Sequence, residues 1–158
     1  MSASVSKVVD LKEKVARPDG YKADSLDSGA AVASVQKDFF VQKDGLLFAG
    51  SHYILDFWGA RGLTDLEAID ATFRQAIEAA GATLLHIHLH HFGPEFGVSG
   101  VAVLAESHVS IHTWPERDYA AIDIFMCGDT DPAKAIAVLR DAFQPTRASI
   151  SEHKRGIV

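Results

Sequence analysis

The chain has 158 residues, 15 Lys+Arg against 21 Asp+Glu, 47% hydrophobic residues and a single cysteine. That length suits one domain with a core of its own, and one cysteine excludes a disulfide framework and any cage of several thiolates. The formal charge of −6 argues against a nucleic-acid partner, and no apolar run reaches the about 18 residues of a membrane span. The first residues mix acids and bases without the apolar stretch of a secretory signal, so a reducing, cytoplasmic setting is the expectation.

Charge marks a boundary. Residues 1–44 hold seven Lys/Arg and seven Asp/Glu, whereas residues 45–158 hold eight and fourteen and carry the whole −6. Apart from Tyr21, the first 36 residues have no aromatic side chain. Such a stretch buries too little apolar surface to offset its ordering entropy. Residues 1–36 therefore read as a flexible N-terminal tail ahead of a domain over 37–158.

Leu46–Trp58 is rich in β-branched, aromatic and leucine residues and ends at Gly59, which predicts one strand. Thr64 and Glu67 have the spacing of a capping box. Leu66, Ile69, Phe73, Ile77 and Ala80 then form one helical stripe, closed by Gly81. Thr83–Phe92 alternates through Leu85, Ile87 and Leu89, the pattern of a strand with one buried face. Val98–Ala105, Val109–Trp114 and Tyr119–Cys127 read as further strands. Asp131-Pro132 opens a second helix with the stripe Ile136, Leu139 and Phe143, and a last strand covers about Arg147–Glu152. Four successive strands between two helices exclude a doubly wound parallel sheet. They predict an α+β two-layer sandwich, a mostly antiparallel sheet with helices on one face.

Three features could carry chemistry. His86, His88 and His90 share one face of a strand. They could hold a metal with Glu95, although the outer pair lies roughly 13 Å apart; the alternative is that they line a polar face or a dimer seam. Cys127 stands at a strand end, where functional groups emerge into loops, yet a buried thiol is more often an inert small hydrophobe. The stretch from Glu106 to Glu116 packs two Ser, two His and two Glu into eleven residues. It lacks the glycines of a nucleophile elbow, which argues against an ordinary hydrolase.

Taken in order, Gly97-Val98-Ser99-Gly100, Leu104-Ala105-Glu106-Ser107-His108-Val109-Ser110-Ile111-His112-Thr113-Trp114-Pro115-Glu116 and Tyr119-Ala120-Ala121-Ile122-Asp123-Ile124-Phe125-Met126-Cys127-Gly128 closely resemble prokaryotic S-adenosylmethionine decarboxylase. Gly50-Ser51-His52 in front and Glu152-His153-Lys154-Arg155-Gly156 behind extend the resemblance to about residues 50–156. It implies that the chain cuts itself between Glu106 and Ser107. The Ser107 hydroxyl attacks the preceding carbonyl to give an ester. β-Elimination then frees residues 1–106 as a β chain and leaves a dehydroalanine, which hydrolyses to a pyruvoyl cofactor at the head of the α chain. His112 matches the processing base and Ser99 its partner.

The resemblance further implies that the pyruvoyl ketone forms a Schiff base with the substrate amine, and that Cys127 protonates the carbon that has lost CO₂. Glu116 matches a ribose-binding carboxylate. Phe92 is the first candidate for stacking on adenine, with Phe96 competing. Two αβ units would pair sheet to sheet as a homodimer, with sites at or near the seam. The decarboxylated product would supply aminopropyl groups for spermidine. The alternatives are an ornithine or arginine decarboxylase on the same machinery, and an uncleaved binding homologue. A hairpin centred near residue 117 would pair residues summing to 234, which sets Ser107 opposite Cys127. In an unbroken strand, His112 would then face the other way from Ser107; a bend or bulge at Glu106–His108 would repair this, and Cys127 serving the partner's site is the competing possibility.

Overall fold

The computed structural model describes residues 39–93 and 95–158; the stretch read as a tail, residues 1–36, lies outside the described residues. Strands β1 (Val41–Lys43), β2 (Leu46–Phe48) and β3 (Gly50–Trp58) are followed by helix α1 (Leu66–Ala79). Strands β4 (Leu84–His91), β5 (Val98–Leu104) and β6 (Ser107–Trp114), a 3₁₀ turn (Pro115–Arg117) and β7 (Tyr119–Met126) come next. Helix α2 (Pro132–Phe143) and β8 (Arg147–Arg155) complete the order. The main sheet runs β4-β5-β6-β7-β3-β8, and every neighbouring pair is antiparallel. The α+β sandwich expected from the element order is the fold observed.

Period-two alternation decides which face the helices cover. In β7, Ala120, Ile122, Ile124 and Met126 are buried, while the residues between them are half-exposed. In β6, Val109, Ile111 and Thr113 point the same way. Ile69, Phe73 and Ile77 of α1 and Ala135, Leu139 and Phe143 of α2 close the core over them. Phe73 is wholly buried, and truncating such a side chain to Ala costs about 3–5 kcal/mol. The C-terminus of α1 is closed by paired bonds, Gly81 N to Glu78 O and Ala82 N to Ile77 O. Gly81, at φ +71°, provides the left-handed residue this cap requires.

Several local expectations change. Leu46–Trp58 is not one strand, because it breaks at Ala49 into β2 and β3; ahead of it Asp44 and Gly45, both at positive φ, turn β1 back on β2 as a two-residue hairpin, the behaviour of an Asp-Gly pair. The N-cap of α1 is Asp65, whose carboxylate accepts from Ala68 N, and not Thr64. A bulge between Leu84 and His86 leaves Leu85 63% exposed and gives its place over the core to Leu84. Strand β6 begins at Ser107 rather than Val109, and β8 runs on to Arg155.

The hairpin register also differs by one. Trp114 pairs with Tyr119, and Ser107 pairs with Met126, so Ser107 is not opposite Cys127. The four-residue connection, with Asp118 left-handed at φ +48°, centres the hairpin half a residue earlier than expected.

Candidate active site

The face of the sheet away from the helices carries most of the polar chemistry. One row across it reads His86, Val103, His108, Phe125, His52 and His153. The next reads His88, Val101, Ser110, Asp123, Ile54 and Ser151. His52 accepts from Arg155 at Nδ1 (3.3 Å) and reaches Asp123 through Nε2 (3.1 Å). A guanidinium only donates, so His52 is the Nε2–H tautomer and donates to Asp123. His86, His88 and His90 stand on this face, as their spacing predicted. Among the described residues, no group of three His, Cys, Asp or Glu lies close enough to hold a metal ion.

Ser99 and His112 are directly opposed on β5 and β6, and Ser99 Oγ lies 2.9 Å from His112 Nδ1. The motif glycines explain this close pairing. A Cβ at Gly97 would run into the Thr113 carbonyl, and one at Gly100 into the backbone of His88 and Leu89. Thr113 braces the same region from the core side, accepting from Val98 N (2.7 Å) and donating to Leu63 O (2.8 Å). Phe92, Phe96, Ser99, His112, Trp114 and Glu116 line a cavity of about 320 Å³. A hydrogen-bonded serine–histidine pair, a glutamate side chain and three aromatic rings thus meet in one hollow. Both phenylalanines are largely exposed there, at 60% and 64%, and Phe92 packs edge-on to His90 with ring centres 4.7 Å apart.

The Glu106–Ser107 peptide lies elsewhere. It sits in the tight turn between β5 and β6, where Leu104 pairs with Ser107. Such a turn needs a positive φ that glycine usually provides, and none of its residues is glycine. The burden falls on Ser107 at φ +140°, a conformation that costs a non-glycine residue about 1–3 kcal/mol. The Glu106 carbonyl accepts from Cys127 N at 3.1 Å. The Cys127 thiol is pushed up from its ordinary pKa, first by burial and then by the negative charge of Glu106.

The structure therefore forms two groups instead of one. Ser107 and His112 are five residues apart on the same strand, about 16 Å at roughly 3.3 Å per residue, beyond the reach of a Ser and a His side chain. Ser99, His112, Glu116 and Phe92 come together at one end of β6; Glu106, Ser107 and Cys127 come together at the other. Sequence reasoning missed Trp114 and Thr83. The aromatic next to Pro115 was legible as a motif residue, but Thr83 acts through its backbone (Thr83 N to Glu106 Oε2, 2.8 Å), which leaves no trace in residue type.

Known proteins resemble this chain in sequence and in fold. The family model described as S-adenosylmethionine decarboxylase matches residues 51–156. An S-adenosylmethionine decarboxylase proenzyme of Thermomicrobium roseum is 44% identical over 110 residues, covering 69% of this chain and 95% of its relative. One from Methanococcus vannielii is 46% identical over 112 residues, covering 69% and 91%. Among solved structures, the adenosylmethionine decarboxylase from Aquifex aeolicus superposes with a TM-score of 0.63 at 35% identity, over 70% of this chain and 93% of that one. With the family model spanning residues 51–156 and relatives of this similarity, the chain belongs to the S-adenosylmethionine decarboxylase family.

Proposed function

We propose that this protein decarboxylates S-adenosylmethionine, using a pyruvoyl group made from Ser107 after the chain cuts itself at Glu106–Ser107, and so provides aminopropyl groups for spermidine. The observation that carries the reading is the state of that peptide. Ser107 is held at φ +140° while the carbonyl it must attack is hydrogen-bonded to Cys127 N.

Attack by Ser107 Oγ places negative charge on the Glu106 oxygen. The amide of Cys127 already points at that oxygen and would stabilise the charge, as an oxyanion donor does. Removal of the Ser107 Cα proton, which completes the cut, needs a base. His112, hydrogen-bonded to Ser99, is the candidate. The pyruvoyl group supplies an electron sink for loss of CO₂. The Cys127 thiol, kept protonated by burial and by Glu106, is suited to return a proton to carbon. In the cavity, Glu116 can accept from both hydroxyls of a ribose, while Phe92, Phe96 and Trp114 offer faces to adenine and to a sulfonium cation. That lining suits a nucleoside better than ornithine or arginine.

One chain separates Ser107 from His112 by about 16 Å, so a complete site requires two copies. The face that the described residues leave uncovered, six strands wide and about eight residues long, measures roughly 29 by 26 Å, about 750 Å². That matches the about 800 Å² per partner of a stable interface. A two-fold axis crossing the strands between Val109 and Ser110 would set the turn that carries Glu106 and Ser107 of one copy level with Ser99, His112 and Glu116 of the other. The proposed enzyme is thus a homodimer of cleaved units, each site built from both. Among the described residues no helix is long and apolar enough to cross a membrane, and a catalytic free thiol fits the reducing cytoplasm.

Intact mass spectrometry of the denatured protein tests the reading. Two fragments, the smaller starting at residue 107 with a pyruvoyl end, are expected. A single chain that stays uncut through long incubation would favour the uncleaved binding homologue instead.

A further inference from the structure

The turn that carries the scissile peptide is gripped from outside its own hairpin. Thr83, between α1 and β4, donates its amide to Glu106 Oε2 at 2.8 Å and accepts from Ala105 N at 3.0 Å. Both residues of the turn are thus tied to one backbone unit. That unit is itself fixed, because Ala82 N closes the C-terminus of α1 on Ile77 O and Ile77 is buried in the core. On the other side, Cys127 N holds the Glu106 carbonyl. Ser107, the next residue, has nowhere to pass its strain, since its neighbour is held by side chain and carbonyl alike.

We infer that the Glu106 side chain is a positioning residue for self-cleavage: its carboxylate, seated on the Thr83 amide, keeps the turn from relaxing and holds the Glu106 carbonyl in place for Ser107. This rests on the cleavage reading above and assigns a part in it to a side chain and a backbone amide. In the step concerned, the bond from Ser107 Oγ to the Glu106 carbonyl carbon forms and the bond from that carbon to the Ser107 nitrogen breaks. The hydroxyl proton ends on the freed nitrogen. Without the grip, Ser107 can rotate back to negative φ, which relieves its strain and takes the hydroxyl off line. Glutamate fits because it spans to the β4 side and offers an anionic acceptor, the stronger partner for a backbone N–H.

The test is a time course of cleavage in freshly synthesised full-length chain, comparing wild type, Glu106→Gln and Glu106→Leu. Gln retains an acceptor oxygen and Leu retains only bulk. Gln should slow cleavage by less than about threefold, and Leu by about tenfold or more, as expected for loss of a hydrogen bond to a charged group. The Leu chain should stay intact in hydroxylamine, because the block precedes the ester. The same two changes made in uncleavable Ser107→Ala should have closely similar melting temperatures, which separates loss of position from loss of fold. Leu cleaving as fast as wild type, Gln as slow as Leu, or an ester accumulating in the Leu chain would each overturn the inference while leaving the cleavage site intact. A wild-type chain not cut at residue 107 would instead overturn the reading on which it rests.

Discussion

The amide of Cys127 donates to the carbonyl of Glu106 at 3.1 Å. One residue therefore offers two groups to two steps. Its backbone N–H faces the oxygen that would gain charge in the proposed cleavage, and its thiol is the proposed proton donor for turnover.

The two roles of Cys127 can be separated. Cys127→Ala keeps the amide and loses the thiol, so the chain should still cut itself while kcat falls by about 10²–10⁴. The pH profile has a defined sign as well. The thiol donates only while protonated, and burial and Glu106 raise its pKa. The donor form thus persists above the ordinary thiol value of about 8.5 and is lost as pH rises through the raised one. The alkaline limb of kcat should lie above pH about 8.5 in the wild type. A limb at or below that value would remove the thiol as donor.

Strain at Ser107 predicts an inversion of the usual stability order. Ser107→Ala and Ser107→Gly are both uncleavable, but only glycine adopts φ +140° without steric cost. Although glycine in a strand normally loses about 0.5–1 kcal/mol to alanine, here it should be the more stable by about 1 kcal/mol. Urea unfolding of the two uncut chains measures the difference; alanine the more stable would mean the turn is relaxed.

A site shared between copies predicts complementation. Ser107→Ala and His112→Ala should each fail to complete cleavage alone, the second stopping as an ester that hydroxylamine cuts. Expressed together, the mixed dimer has one site with both residues intact, made of Ser107 from the His112→Ala chain and His112 from the other. The chain with His112→Ala should then be processed in part. No rescue, in a mixture shown to exchange subunits, would argue for a site within a single chain.

Glu116→Gln should leave self-cleavage near normal, because Glu116, which lines the cavity, is assigned to the ribose and to no step of the cut. Loss of the charged acceptor for the ribose diol should raise KM for S-adenosylmethionine by about tenfold or more, at about 1.5–3 kcal/mol for a charged hydrogen bond. Steady-state kinetics checks the split, and an unchanged KM would move ribose binding away from Glu116.

Residue types and their spacing determined much of this protein on their own. The apolar stripes Ile69, Phe73, Ile77 and Ile136, Leu139, Phe143, with four strands between their helices, specify two helices on one face of an antiparallel sheet. The motif residues Ser99, Glu106, Ser107, His112, Glu116 and Cys127 stand out as a set only through the family resemblance of the motifs that hold them, since residue types alone left 106–116 open to a plain polar strand face. Asp44-Gly45 is a hairpin signal of the same local kind. Only the tertiary structure decided how the motif residues are distributed. Alternation has a local period of two, but the offset between strands is set by the turn, and the left-handed Asp118 moved Cys127 from Ser107 to Glu106. The bulge that turned Leu85 outward, the distance that divides Ser107 from His112, and the grip of Thr83 on Glu106 all arise from backbone geometry between distant segments. Backbone amides are the same in every residue but proline, so their partners become visible only once the chain is folded.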